Sequence, residues 1–293
     1  MAEYVNLNGT LHPAQDAHLS IYDHGFLYGD GVFEGIRAYD GRVFRLDEHV
    51  ARLYRSALAL AIEISIRPDQ MRAAILETVR ANEMRSCYIR VSVSRGVGLG
   101  LDPEHIDRTS TIVISTKQLR LYPQSMYDNG LEVVTASTRV PPAVCIDPQI
   151  KSLGRYINNI LAKMEANRVG AGEALMLNMA GNVAEATGDN LFIIRGGELI
   201  TPPTSEGALV GITRLAAMEI ARSQGIPVRE APVTLYDCYT ADEAFLTGTA
   251  AEVIPMVRLD CRNIADGKPG PLTRGIIEAF RVCTATEGAP IYD

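Results

Sequence analysis

The apolar positions change period repeatedly along this chain of 293 residues. "EGIRAYDGRVFRL" alternates on both sides of an Asp40–Gly41 pair, the pattern of a β-hairpin closed by an Asp-Gly turn. The period then becomes helical. Val50, Leu53, Tyr54 and Leu58 fall on one face of "EHVARLYRSALALA", with Asp47 placed as N-cap. "RPDQMRAAILETVRANE" predicts a second helix, with Pro68 near its start. "CYIRVSVS" and "STIVIST" read as strands, and the pattern breaks over "KQLRLYPQSMYDNG". Beyond the break, "LEVVTAST" is a strand, and a helix follows in which Ile157, Ile160, Leu161 and Met164 form the expected apolar face. "EALMLNMAGNVAEATGDNLFIIRGGELITPP" is strand-rich with Gly turns. "GITRLAAMEIARSQG" is a helix stopped by Gly225, "DEAFLTGTAAEVIPMVRLD" is strand, turn and strand, and "PLTRGIIEAFRVCTATEG" closes the chain as a helix. There is no internal repeat. The expectation is an α+β (mixed α/β) chain of two domains: residues 1–120, a linking loop over 121–130, and residues 131–293.

Composition narrows the class. Apolar residues make up 47% and charged residues 22%, a soluble globular balance. No run approaches the ~20 apolar residues that span a bilayer, and "MAEYVNLNGT" lacks the basic start and apolar core of a signal peptide. A net charge of −7 argues against a broad nucleic-acid surface and suits an enzyme acting on small molecules. The five cysteines form no C-x-x-C pair and their odd count poorly fits a disulfide framework, which points to reduced thiols in a cytoplasmic protein. The five histidines show no metal-ligand spacing, so no metal site is expected.

Candidate chemistry concentrates in "DPQIKSLGRYINNILAKM". Lys163 lies mid-helix and is expected to reach to solvent. Lys151 ends an extended run just before the helix, where a side chain can project into a cleft, with Tyr156 on the first turn. Position alone favours an ordinary surface lysine. The chemistry that would employ it is a Schiff base with the aldehyde of pyridoxal phosphate (PLP), which also needs an acid at its ring nitrogen, a phosphate cup and a donor near its hydroxyl. The sequence offers a candidate for each.

The motifs "YGDGVFEGIR", "RLDEHVARL", "CYIRVSVSRG", "KSLGRYINN", "NVAEATGDNLF", "GALVGITR" and "FLTGTAAEVIP" occur in an order that covers nearly the whole chain. In them the chain resembles the fold-type IV PLP enzymes and, within these, the branched-chain amino-acid aminotransferases. The resemblance implies a small N-terminal α/β domain and a larger C-terminal domain with a mixed, barrel-like sheet. It implies Lys151 as the Schiff-base lysine and proton carrier, Glu185 at the pyridine nitrogen, and Tyr156 at the ring hydroxyl. Arg52 is implied at the phosphate; as a residue alone it reads as an i,i+4 partner of Glu48, worth ~0.3–0.5 kcal/mol. Gly211, Ile212 and Thr213 are implied as the phosphate cup, with Thr249 beside it.

For the substrate, the resemblance implies Tyr88, Thr249 and Ala250 at the α-carboxylate. Arg90, with Tyr28 of a second subunit, is implied at the side-chain carboxylate of glutamate. Phe33 and Tyr156 are implied in the apolar pocket, and Leu101 on a loop reaching the partner's pocket. Tyr88 and Arg90 stand two apart on a strand, hence on one face. The implied reaction is ping-pong transamination between leucine, isoleucine or valine and 2-oxoglutarate, in at least a homodimer. Three relatives of the same fold remain alternatives. A D-amino-acid aminotransferase is disfavoured by the Gly and Leu residues of "SRGVGLGLDP", although His105 lies near it. An (R)-amine transaminase is disfavoured by Tyr88 and Arg90. Aminodeoxychorismate lyase is disfavoured by "YIR" and "TGTAAE".

Overall fold

The protein is described here from a computed structural model, which describes residues 3–107 and 109–292. The chain forms two compact units. One comprises Met1–Leu119, Ile150–Gly154 and Thr284–Asp293; the other comprises Arg120–Gln149 and Arg155–Cys283.

The first unit holds strands β1 (Tyr4–Leu7), β2 (Thr10–Pro13), β3 (Gly31–Tyr39), β4 (Arg42–Val43), β5 (Cys87–Ser94) and β6 (Thr111–Lys117), and helices α1 (His24–Tyr28), α2 (Leu46–Ala59) and α3 (Pro68–Ala81). The strands form an antiparallel sheet in the order β4-β3-β5-β6-β1-β2, with Ala289–Pro290 beyond β4. The predicted hairpin is present: Asp40 and Gly41, at φ 42° and 87°, join β3 to β4. One sheet face carries Ile36, Ile89 and Val91 into a core shared with Val50 and Leu53 of α2 and Ile75 and Val79 of α3. Two details of α2 differ from expectation. Its N-cap is Arg45, in the left-handed region; Asp47 lies in the first turn instead and pairs with Arg72 at 3.0 Å. Leu58 is exposed, because the buried stripe runs through Val50, Leu53 and Ala57.

A short stretch of the second half of the sequence returns to this sheet. The Phe33 amide donates to the Lys151 carbonyl (3.0 Å), Leu153 to Gly31 (2.8 Å) and Gly154 to Gly29 (3.0 Å). Residues 151–154 thus run antiparallel to the entry of β3. The approach requires glycine: a Cβ on Gly29 would lie 3.0 Å from the Gly154 Cα, and Gly29 has φ +66°.

The second unit holds α4 (Gln124–Asn129), β7 (Leu131–Thr135), α5 (Tyr156–Arg168), β8 (Glu173–Leu177), β9 (Val183–Ala186), β10 (Asn190–Arg195), β11 (Glu198–Thr201), α6 (Ile212–Ser223), β12 (Val228–Glu230), α7 (Leu235–Tyr239), β13 (Glu243–Gly248), β14 (Glu252–Leu259) and, up to Cys283, α8 (Pro271–Thr286). Its sheet runs β12-β11-β10-β13-β14-β7-β8-β9 and mixes parallel pairs (β11–β12, β14–β7, β7–β8) with antiparallel ones. It curls, so that edge strand β9 packs against β10. The stretch expected as a linking loop contains α4, begun at Pro123 and ended at Gly130.

Helix α5 inverts its expected face. Asn159, Ala162 and Ala166 are buried, the two alanines in one cluster with Ala174 and Met176 of β8. Ile157 is 64% and Ile160 59% exposed, with Leu161 and Met164 also exposed. Small side chains let the helix lie close to the strand, and the large ones are left outside. Lys163 is half-buried rather than extended to solvent. Its Nζ donates to the Gly172 carbonyl and lies 3.6 Å from Glu173 Oε2. Glu173 is buried and also accepts from Thr187 Oγ1 (2.5 Å), the Ala174 amide (2.7 Å) and the Tyr122 hydroxyl (3.2 Å).

Candidate active site

In the first unit, the β3–β5 register sets Phe33 opposite Ser92 and Gly35 opposite Arg90, so Phe33, Gly35, Tyr88 and Arg90 share a sheet face. The Tyr88 hydroxyl occupies the space over Gly35, 2.2 Å from where a Cβ would stand. The Arg90 guanidinium carbon lies 3.6 Å from the Phe33 ring centroid, and Arg90 Nε donates to Ser92 Oγ (3.1 Å). The pairing of residues 151–154 with β3 brings the Lys151 Nζ to 4.6 Å from the same centroid. A buried aromatic ring thus carries two cations, each drawn to its negative face.

The opposite face of β3 carries Glu34, completely buried. Arg52 of α2 donates to it through both Nε and Nη2, each at 2.7 Å, and His49 Nδ1 lies 2.7 Å from Oε2. Burial would raise the Glu34 carboxyl, but Arg52 and His49 outweigh it and hold the group at about 2. Burial holds His49 below its usual range, against the pull of Glu34. Arg52 is therefore not paired with Glu48, which meets Arg45 at 3.3 Å instead. Tyr28 and Leu101 are exposed; Tyr28 packs edge-on against His24 at 4.9 Å. His105 is exposed beside Asp102.

In the second unit, every residue of β9 is buried, Glu185 among them. Glu185 Oε1 accepts from Arg155 Nη2 at 2.5 Å. Oε2 accepts from the Leu209 amide at 2.8 Å and more distantly from Asn190 Nδ2 at 3.5 Å. Asn190 Nδ2 also donates to the Leu209 carbonyl (3.0 Å), which ties Glu185 to the segment leading into α6. Gly211 is the N-cap of α6, and a Cβ there would stand 2.0 Å from Asn190 Oδ1. Ile212 and Thr213 open the helix, where backbone N–H groups have no intrahelical acceptor. Asn190 pairs with Thr247 across β10–β13, beside the turn that holds Thr249 and Ala250. Tyr156, the first residue of α5, follows Arg155 directly, and the Arg155 guanidinium lies 5.8 Å from the Tyr156 ring centroid. Glu185, Tyr156, Gly211–Thr213 and Thr249–Ala250 are thereby linked through Arg155 and Asn190.

The model of the family described as amino-transferase class IV matches residues 31–259. The chain belongs to the class IV aminotransferases. It is 45% identical over 290 residues to a putative branched-chain-amino-acid aminotransferase of Methanocaldococcus jannaschii, covering 99% of each chain. It superposes on the crystal structure of the Escherichia coli branched-chain amino acid aminotransferase with a TM-score of 0.94 at 34% identity, covering 98% of this chain and 96% of that one. The Thermobaculum terrenum branched-chain enzyme in its PLP form gives 0.89 at 33% identity, covering 97% and 94%.

Three residues of this class IV aminotransferase escaped sequence reasoning: Glu34, Arg155 and Asn190. Glu34 carried a signal, since the alternation of "VFEGI" puts a carboxylate between Val32 and Ile36 on the core-facing side. Asn190 lay inside the "NVAEATGDNLF" motif. Arg155 lay inside "KSLGRYINN", but its partner is 30 residues away and nothing local marks the pairing. Among the described residues no group of acidic, His and Cys side chains could hold a metal, and no helix is long and apolar enough to cross a membrane.

Proposed function

We propose that this chain is a PLP-dependent branched-chain-amino-acid transaminase, exchanging amino groups between leucine, isoleucine or valine and 2-oxoglutarate. The observation that carries the reading is the Phe33 platform. It sets the Lys151 amine, an apolar ring and a recessed guanidinium within one side chain's reach of each other. A site beside such an amine can accept an aliphatic side chain against the ring and a glutamate carboxylate at Arg90. It separates aliphatic substrates weakly, because one methylene is worth only ~1–3 kcal/mol.

The residues fit the cofactor. Glu185 is a buried carboxylate that accepts from Arg155, and the space at Gly211 is too tight for a side chain. PLP supplies an aldehyde and a ring that takes up carbanion electrons. Lys151 is proposed to bond that aldehyde and, once freed, to move the proton from the substrate Cα. Glu185 would hold a proton at the ring nitrogen, and Tyr156 would donate to the ring hydroxyl. In the first unit Arg52, its guanidinium fixed by Glu34, would serve as a phosphate ligand; in the second unit the Ile212 and Thr213 amides and the Thr249 hydroxyl would do so. Tyr88 of the first unit would serve as a ligand of the substrate α-carboxylate; in the second unit the turn at Thr249–Ala250 would do so.

The reading includes a homodimer, in which Tyr28 and Leu101 serve the neighbouring subunit. It is supported by exposed apolar residues at Leu19, Ile21, Phe26, Leu99 and Leu101 of the first unit, and by the bare stripe of α5 in the second. The odd count of five cysteines suits a reducing, cytoplasmic setting. The test is a panel of single amino donors added to the PLP-loaded protein. L-leucine, L-isoleucine, L-valine and L-glutamate should each discharge the visible cofactor band. Discharge by D-amino acids or (R)-amines alone would overturn the substrate assignment.

A further inference from the structure

Arg155 meets Glu185 in a manner unlike the other buried glutamate–arginine pair among the described residues. Arg52 donates to Glu34 through two nitrogens. Arg155 reaches Glu185 through Nη2 alone, although its side chain is 1% exposed. Its Nε and Nη1 are buried and have no hydrogen-bond partner among the described residues. A guanidinium is a rigid fork suited to gripping a carboxylate with two parallel bonds. One that forgoes that grip is poorly explained as a structural clamp. Burial works against its charge, yet Glu185 outweighs burial and holds the guanidinium above its usual range.

We propose that Arg155 is a positioning residue for the reaction, acting through Glu185 to hold that carboxylate in place and to set, by its own charge, how firmly a proton is held at the ring nitrogen. The proposal rests on the cofactor assignment made above. A carboxylate shared with a guanidinium is a weaker base than one left alone, and the guanidinium adds positive charge beside the ring. Removing that charge favours protonated forms of the bound cofactor.

The experiment compares wild type with Arg155→Gln, which removes the charge, and Arg155→Lys, which keeps it. The first readout is the pH midpoint of the cofactor's visible band. It should rise by about one pH unit in Arg155→Gln and stay near the wild-type value in Arg155→Lys. The second readout is Tm against pH, measured without cofactor. In Arg155→Gln the buried carboxylate lacks a counter-charge and gains a proton on folding. Its Tm deficit should therefore be widest at pH 8 and narrow towards pH 5. If Arg155→Gln folds too poorly to assay, adding Glu185→Gln should recover Tm at pH 8. An unmoved band midpoint with a pH-independent Tm deficit would overturn the proposal, as would failure of the double variant to recover. A wild-type protein that takes up no PLP would contradict the proposed function, and the cofactor-free Tm comparison would still decide the Arg155–Glu185 pair.

Discussion

Among the described residues the protein contains two buried glutamate–arginine pairs, and they are built differently. Glu34 and Arg52 form a closed unit: two parallel hydrogen bonds, a histidine on the same carboxylate, and no exposure of the glutamate. Glu185 and Arg155 form an open one: a single bond from the arginine, a backbone amide on the second oxygen, and two guanidinium nitrogens left over. Burial is common to both and so distinguishes neither. The difference lies in unspent hydrogen-bonding capacity. A closed pair has its charges satisfied and serves to hold one conformation; an open pair keeps capacity for something the chain does not itself supply. The first pair fixes Arg52, and the second poises Glu185.

The contrast fails or sharpens under substitution. The largest effect is expected at the open pair. Glu185→Gln should cut turnover by about two to four orders of magnitude, read as kcat with L-leucine; near-normal turnover would place Glu185 away from the ring nitrogen. At the closed pair, Glu34→Gln strips the counter-charge from a buried arginine and should cost about 3–5 kcal/mol of stability, read by denaturant unfolding. A loss under 1 kcal/mol would mean that Arg52 is held by other contacts.

Acid should separate the same variants. The Glu34 carboxyl is lowered to about 2 from an ordinary 4.5. Its contribution is therefore complete above pH 4.5 and drains away as the pH falls towards 2. Wild type should lose stability faster than Glu34→Gln across that window, and parallel curves would contradict the pairing. The smallest effect belongs to a pair that is half in solvent. Lys163→Met should cost only ~0.5–1 kcal/mol, since Glu173 retains the Thr187, Ala174 and Tyr122 donors.

Local structure was readable where neighbours in sequence decide it. The Asp40–Gly41 hairpin, the strands Cys87–Ser94 and Thr111–Lys117, and the Gly225 stop after α6 all follow from short-range rules of turn and alternation. Long-range pairing was not readable. Nothing in "KSLG" announces that it lines up against residues 29–33, yet that contact brings Lys151 to the Phe33 ring. Helix α5 shows a second limit. Ile157, Ile160, Leu161 and Met164 have the spacing of a core face. A strand surface at close range selects Asn159, Ala162 and Ala166 instead, and periodicity cannot tell an inner stripe from an outer one. Lys163 failed for a related reason: its partner Glu173 belongs to the next strand, where a buried carboxylate draws the amine inward. The candidate site was readable as residue types within motifs, whereas its electrostatics, set by Glu34, Arg155 and Asn190, depended on tertiary contacts.

The assignment of Lys151 as the reactive amine admits a direct measurement. PLP is added to the purified protein, the yellow complex is reduced with borohydride, and the digested peptides are weighed. The account predicts one reduced cofactor per chain, attached at Lys151. Attachment at Lys163, or a colourless protein that gains no mass, would contradict it.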